Sequence, residues 1–232
     1  MPNEKRTLVD VGMKNLTFPM KVSSRRDSEG QASIANISIS ARIMHEFEAR
    51  WIDKFIQILH RHRDEIGTAT LRKNIIDYSK ELNASSVRIS FAYPFFVEKL
   101  TLVSKQKCLV RYHCTYSAKT PSIDDQPKIT LAMDIPVITT DPASIPENTG
   151  GLLGQLSVVT VEVQSREEVF PEDIVELVDK HALSPTYSFL TPDDQIAIIQ
   201  KVHSQTKSSV VMTDEIKNDL VHDPNIIWYS VK

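Results

Sequence analysis

A chain of 232 residues, 41% hydrophobic and 25% charged, can bury one large core or two small ones. Its formal net charge of −3 supplies no basic field for nucleic acid. No apolar run approaches the ~20 residues of a membrane-spanning helix, and Met1 to Arg6 carry no signal-peptide core; a cytoplasmic protein with no nucleic-acid or membrane partner is expected.

Thr7 to Met13 and Leu16 to Val22 read as extended segments, with Gly12 and Asn15 as turn formers between and within them. Ser23 to Gly30 is polar and reads as a hairpin loop. Ala32 to Ala41 alternates, with Ile34, Ile37 and Ile39 among Ser and Asn. The period then changes: Met44, Phe47, Trp51, Phe55 and Leu59 recur every three or four residues, the mark of an amphipathic helix. His60 and His62 flank Arg61 at its end; positions two apart do not face each other on a helix, so they form no ligand pair. Thr68 to Leu82 predicts a second helix, ending at Asn83. Val87 to Val103 and Lys107 to Ala118 return to strand character.

Alternation within Lys107 to Ala118 puts Cys108, Val110, Tyr112 and Cys114 on one face and His113 on the other. Six residues of extended chain hold the two sulfurs roughly 20 Å apart. They can neither pair with each other nor share a metal, and read as packed thiols in a reducing compartment.

Lys119 to Pro127 is polar, carries two prolines and reads as a linker. The order then restarts. Lys128 to Ile138 and Leu156 to Gln164 predict strands, with Gly150, Gly151 and Gly154 in a flexible hairpin between them. Pro171 to Ala182 predicts a helix opening on Pro171-Glu172-Asp173. Pro192 to His203 and Thr213 to Val221 predict two more, and Asn225 to Val231 a last strand. The organisation is α+β, with one unit over residues 1–118, a linker over 119–127 and a second unit over 128–232 that lacks a final strand. Phe91, Tyr93 and Phe95 share one strand face while Ala92, Pro94 and Phe96 share the other; a strand apolar on both sides suggests burial against another subunit, the alternative being a curved strand buried within the monomer.

Five stretches in this order resemble the type IB GTP cyclohydrolases. Val11-Gly-Met-Lys-Asn-Leu-Thr-Phe-Pro-Met-Lys-Val22 is similar to the family's opening strand pair, and Ser40-Ala-Arg-Ile43 stands where the family writes Met-Ser-Arg-Leu. Phe91-Ala-Tyr-Pro-Phe-Phe-Val-Glu-Lys-Leu-Thr-Leu-Val-Ser104 resembles the strand ending Glu-x-Lys-Ser-Pro-Val-Ser. Met133-Asp-Ile-Pro-Val-Ile-Thr-Thr140 resembles the strand reading Val-Pro-Val-Thr-Thr. Ser184-Pro-Thr-Tyr-Ser-Phe-Leu-Thr-Pro-Asp-Asp194 resembles the segment ending Arg-Pro-Asp-Glu. The resemblance implies a tandem T-fold, antiparallel sheets with helices packed on one face. It also implies a homo-oligomer, dimer or tetramer, with a purine pocket at subunit interfaces and a small heterocyclic substrate.

The resemblance further implies a zinc-activated water, its ion held by a cysteine, a histidine twelve residues later, and a glutamate. The matching positions here are Asp141, Leu153 and Asp194. A leucine donates no lone pair, and two hard carboxylates suit Mg²⁺ or Ca²⁺ better than zinc. No metal or other cofactor is therefore expected. Asp141 and Asp194 would serve instead as acid and base, since neighbouring carboxylates push their pKa values apart.

Glu98 matches the family glutamate after the aromatic strand and joins them as a catalytic candidate; a strand-end surface charge is its other reading. Ser104 matches a family serine, or holds a turn. Asp214 or Glu215 falls near the family pair that recognises substrate, and a carboxylate accepts paired N–H bonds from a guanine-like edge; Thr213-Asp214-Glu215 also reads as a helix cap and first turn. His45, His181, His203 and His222 stand alone and read as surface or core. The family continues past the last strand into further polar pocket residues; with the sequence ending at Lys232, that edge would be rebuilt, supplied by a neighbour or left open. Three functions compete: an enzyme acting on a purine, a pterin or another planar substrate without zinc chemistry, which is favoured; a non-catalytic binding or scaffold homologue; and a GTP cyclohydrolase with a relocated metal site.

Overall fold

The computed structural model describes residues 7–120, 126–141, 143–144 and 152–232. The first six residues, the middle of the expected linker (121–125) and the Gly150-Gly151 hairpin lie outside the described residues.

The strands are β1 (Leu8–Val22), β2 (Gln31–Met44), β3 (Ala84–Leu100), β4 (Lys107–Thr120), β5 (Lys128–Thr140), β6 (Gly154–Ser165), β7 (Ser184–Pro185) and β8 (Ile226–Val231). The helices are α1 (Trp51–His62), α2 (Thr68–Glu81), α3 (Pro171–His181), α4 (Pro192–Ser204) and α5 (Ser209–His222). The strands form one antiparallel sheet in the order β1-β2-β3-β4-β5-β6-β8, with the two-residue β7 paired to β5. Helices lie on one side of it, the α+β layering expected from the sequence.

Packing divides the chain into two compact units. One comprises residues 1–94, 114–132 and 164–170; the other comprises residues 95–113, 133–163 and 171–232.

In the first unit β1 and β2 pair from Leu8 opposite Met44 to Val22 opposite Gln31. The two extended segments expected before residue 23 are one strand. The break between them is a register shift between Met13 and Leu16, where Asn15 takes a φ of 57°. The polar 23–30 segment is the hairpin loop, closed by Gly30 at φ 73°, where a Cβ would meet the Val22 carbonyl at 2.8 Å.

The first helix starts later than its periodicity suggested. Met44 ends β2, held by the ladder to Leu8, and the His45 amide continues that pairing onto the Thr7 carbonyl at 2.9 Å. A single 3₁₀ turn, His45–Phe47, follows, and α1 begins only at Trp51. The ladder outcompetes the helical period there. From Trp51 on the expectation stands: Trp51, Phe55, Ile58 and Leu59 are buried, and the Phe55 ring lies 6.1 Å from Tyr78 of α2. Helix α2 buries Leu71, Ile75 and Tyr78 and ends as expected, with Asn83 left-handed at φ 52°.

The start of α2 is completed from far away in sequence. Both Glu168 carboxylate oxygens accept from its first turn: Oε1 from the Thr68 amide at 2.7 Å and hydroxyl at 2.8 Å, Oε2 from the Ala69 amide at 2.8 Å. Those amides have no partner within the helix, and a carboxylate also favours the positive end of the helix dipole. Gly67 makes the approach possible, since a Cβ there would lie 2.6 Å from Glu168 Oε1.

In the second unit α5 starts four residues before its expected Thr213. Ser208 caps it, its hydroxyl accepting from the Val211 amide at 3.3 Å, so Thr213, Asp214 and Glu215 lie inside the helix and cap nothing. Strand β4 keeps the expected alternation, with Cys108, Val110, Tyr112 and Cys114 buried, neither cysteine in a disulfide, and His113 exposed.

Replacing Glu168 by Ala leaves two amides without their acceptor and the Thr68 hydroxyl with only the Val169 carbonyl at 3.3 Å. The expected loss is about 1–3 kcal/mol in urea unfolding, with a smaller loss for Glu168→Gln. A Glu168→Ala midpoint equal to that of the unsubstituted protein would show that the cap contributes nothing.

Candidate functional site

All six residues singled out for chemistry fall in the second unit. Asp194 is the third residue of α4 and fully buried. Its Oδ1 accepts from the Val103 amide at 2.7 Å and the Ser104 amide at 3.0 Å. Its Oδ2 accepts from the Ser104 hydroxyl at 2.7 Å, the Thr191 amide at 3.1 Å and the Thr191 hydroxyl at 2.7 Å. Thr191 is the N-cap of α4, and its hydroxyl accepts in turn from the Asp194 amide, which completes a capping box with Asp in the usual Glu position.

The structure thus brings Ser104 and Asp194 together. Ser104 sits in the 101–106 turn that joins β3 to β4, where Lys105 is left-handed at φ 53°. The Gln106 amide donates to the Thr101 hydroxyl at 3.0 Å, Thr101 lies 2.7 Å from the Ser104 hydroxyl, and Ser104 donates to Asp194. Since the single Ser104 hydroxyl proton goes to Asp194, Thr101 is the donor to Ser104, and the chain of donors ends on the carboxylate. Burial alone pushes the Asp194 pKa up. The hydrogen bonds from Thr191, Ser104 and Val103 more than reverse this and hold the carboxyl well below its ordinary 3.8.

Asp141 follows the end of β5. Its amide donates to the Leu153 carbonyl at 2.8 Å, and its carboxylate accepts from the Ala143 amide at 2.8 Å in a tight turn. Leu153 is 61% exposed. Glu98 lies on the exposed face of β3, with Lys107 Nζ at 3.0 Å. The next residue, Lys99, points inward: its ammonium is 2.5 Å from Asp179 of α3 and lies over the Tyr112 ring. Burial pushes that ammonium's pKa down and Asp179 pulls it partly back.

Asp214 and Glu215 have different settings on α5. Asp214 is exposed, 3.8 Å from Lys217. Glu215 pairs with Lys207 and stands 3.1 Å from His181 Nδ1. His181 Nε2 is 2.7 Å from Asp219, which Lys180 also reaches at 2.8 Å. His181 is therefore not the isolated residue expected from the sequence. The usable signal was Glu215 and Asp219 four apart on one helix face, opposite Lys180-His181 at the end of another helix. Lys207 was also missed. Its backbone amide donates to the Thr140 hydroxyl at 2.8 Å and its carbonyl accepts from the Thr140 amide at 2.9 Å, so it ties the residue before Asp141 to Glu215.

A catalytic zinc needs about three protein donors and one open position. The residues at the implied ligand positions do not supply them. Every lone-pair direction of the Asp194 carboxylate is taken by Val103, Ser104 and Thr191, and Leu153 offers only alkyl carbon. The donor set does not fit the ion.

Because the folded pKa of Asp194 lies below its unfolded value, its stabilisation is fully present above about pH 4 and fades as acid protonates the folded carboxyl. Asp194→Asn keeps the size but leaves donors of Thr191 or Ser104 facing an amide N–H. The variant should unfold at lower urea at pH 7, with a shallower loss of stability from pH 5 to pH 2. An acid limb as steep as that of the unsubstituted protein would remove Asp194 from this role.

A family model described as type I GTP cyclohydrolase FolE2 matches residues 1–232. The GTP cyclohydrolase FolE2 of Citrifermentans bemidjiense is 30% identical over 222 residues, which cover 96% of this chain and 82% of that protein. That of Pelobacter propionicus is 28% identical over 232 residues, covering 100% of this chain and 89% of that protein. Among solved structures, the uricase from Arthrobacter globiformis superposes with a TM-score of 0.51 at 10% identity, covering 97% of this chain and 80% of that one, a likeness of fold alone that agrees with the T-fold expected from the sequence. The family model spanning the whole chain and the 30% identity to a full-length relative show that this chain belongs to the type I GTP cyclohydrolase FolE2 family.

Proposed function

We propose that this protein is a GTP cyclohydrolase-like member of its family that binds a guanine nucleotide or a related purine or pterin, and that it does not open the ring by metal-activated water. The carrying observation is the Asp194 carboxylate, whose oxygens are all occupied by donors of the protein itself. Family membership supports the substrate class. The saturation of Asp194 supports the altered chemistry, since a carboxylate shared among so many donors is also a poor base.

Within this reading Asp194 and Ser104 shape the site from behind. Asp141, exposed Glu98 and the Glu215–Lys207–His181 cluster supply the groups that would meet a heterocycle. Glu215 is held ionised, chiefly by its hydrogen bond from Lys207 against the opposing effect of burial. A carboxylate in that state can accept two N–H bonds from a guanine edge.

A cytoplasmic homo-oligomer completes the proposal. No helix among the described residues is long and apolar enough to cross a membrane, and two buried cysteines outside any disulfide suit a reducing compartment. Phe96, Leu109, Leu156 and Val158 are 41–69% exposed on strands of the second unit, apolar surface that a second subunit would cover.

Two measurements test these points. GTP should bind in ultraviolet difference titration, while anaerobic incubation with added Zn²⁺, Mn²⁺ or Fe²⁺ should give no dihydroneopterin product; turnover that rises with metal and stops with a chelator would overturn the metal-free reading. Light scattering at micromolar concentration should give a multiple of 26.3 kDa, and a stable monomer would overturn the oligomer.

A further inference from the structure

Across β1 to β4 of the first unit, on the face turned away from its buried side chains, lies a polar groove of about 250 Å³. Its register is fixed by the ladders: Asp10 stands opposite Arg42, Arg42 opposite Ser86, and Ser40 opposite Arg88. Lys119 and Thr120 of β4 close the far side. The intervening Ala41 and Val87 are buried, so Asp10, Ser40, Arg42, Ser86, Arg88 and Lys119 project to one side, while the Thr120 hydroxyl turns inward to Ser79.

Arg42, Arg88 and Lys119 set three cations against the single carboxylate of Asp10 among the lining residues. This stands out in a chain whose formal net charge is −3. Asp10 grips Arg42 through Nε at 2.8 Å and one terminal nitrogen at 3.0 Å. That fork fixes the guanidinium plane and leaves its other N–H donors for a ligand. Two serine hydroxyls lie between the cations. Guanidinium, ammonium and hydroxyl donors spaced along a trough match a row of tetrahedral, multiply charged oxygens better than a single planar carboxylate.

We propose that this groove binds an oligophosphate chain, either free or as the tail of a nucleoside triphosphate. The proposal stands apart from the catalytic reading, because it uses none of the residues assigned there. Arg88 and Lys119 supply the charge, Arg42 is held in place by Asp10, and Ser40 and Ser86 donate to the bridging stretch.

Inorganic tripolyphosphate titrated calorimetrically into the full chain tests it. Saturable binding is expected, weakening with added salt. Arg88→Ser with Lys119→Ser should weaken it about tenfold or more, whereas Lys73→Ser, an exposed lysine on α2, should not. Ser86→Asp, which puts a carboxylate into the groove, should weaken it comparably and serves as the second variant if the double one fails to fold. Arg88→Lys should retain most of the affinity. Lack of saturation, or equal loss in the Lys73 control, would overturn the groove. Competition by GTP but not guanosine would identify a nucleotide tail; indifference to GTP would identify a free oligophosphate. GTP bound equally well by all variants, with no tripolyphosphate bound, would reject the groove and leave the proposed function standing.

Discussion

The two-residue period of the long strands governs nearly everything else in this molecule. A sheet with helices on one side gives each strand residue only two destinations, and a slip of one position would exchange them all. Ile37 opposite Phe91, Ile39 opposite Ile89 and Ala41 opposite Val87 are buried as cross-strand pairs. The same ladder, read one residue out of phase, sets Ser40 against Arg88 and Arg42 against Ser86. Core and polar groove are therefore two sides of a single register. Neither can be moved without moving the other, because the hydrogen bonds between backbones carry both.

The Asp194 carboxylate shows a different economy. A buried anion is costly unless every oxygen is satisfied, and here donors come both from its own helix cap and from a turn some ninety residues earlier in the chain. Once those donors are committed, the group is held ionised and holds two segments together, and it has no lone pair left for further chemistry. A carboxylate can anchor structure or take part in a reaction, and the number of donors around it separates the two. Glu215 illustrates the contrast, with its charge balanced by Lys207, the His181 ring beside it and part of its surface still open.

Much of this was legible in the sequence. Alternation placed Cys108, Val110, Tyr112 and Cys114 on one face, and Asn83 marked a helix end, because both features depend on near neighbours alone. What escaped reading depends on partners distant in the chain. Met44 fits a helical period, yet the ladder to Leu8 claims it. Thr213-Asp214-Glu215 has the composition of a cap, but Ser208 lies a turn earlier with the same chemistry. The pairing of Ser104 with Asp194 and of His181 with Glu215 joins residues 90 and 34 positions apart, a relation that a local pattern does not encode. The tandem T-fold was readable only because several weak motifs occurred in a fixed order.

The cap on α2 has a consequence for how the protein is made. Thr68 and the Glu168 that completes its helix start are separated by 100 residues. At a ribosome adding roughly 5–20 residues per second, the helix emerges about 5–20 s before its cap is synthesised. During that interval the N-terminal amides of α2 have only water to bond, and a lone helix of 14 residues is marginal in water. Vectorial synthesis therefore leaves the first helical pair waiting on a late segment, and the closing of this unit is timed by the arrival of one glutamate.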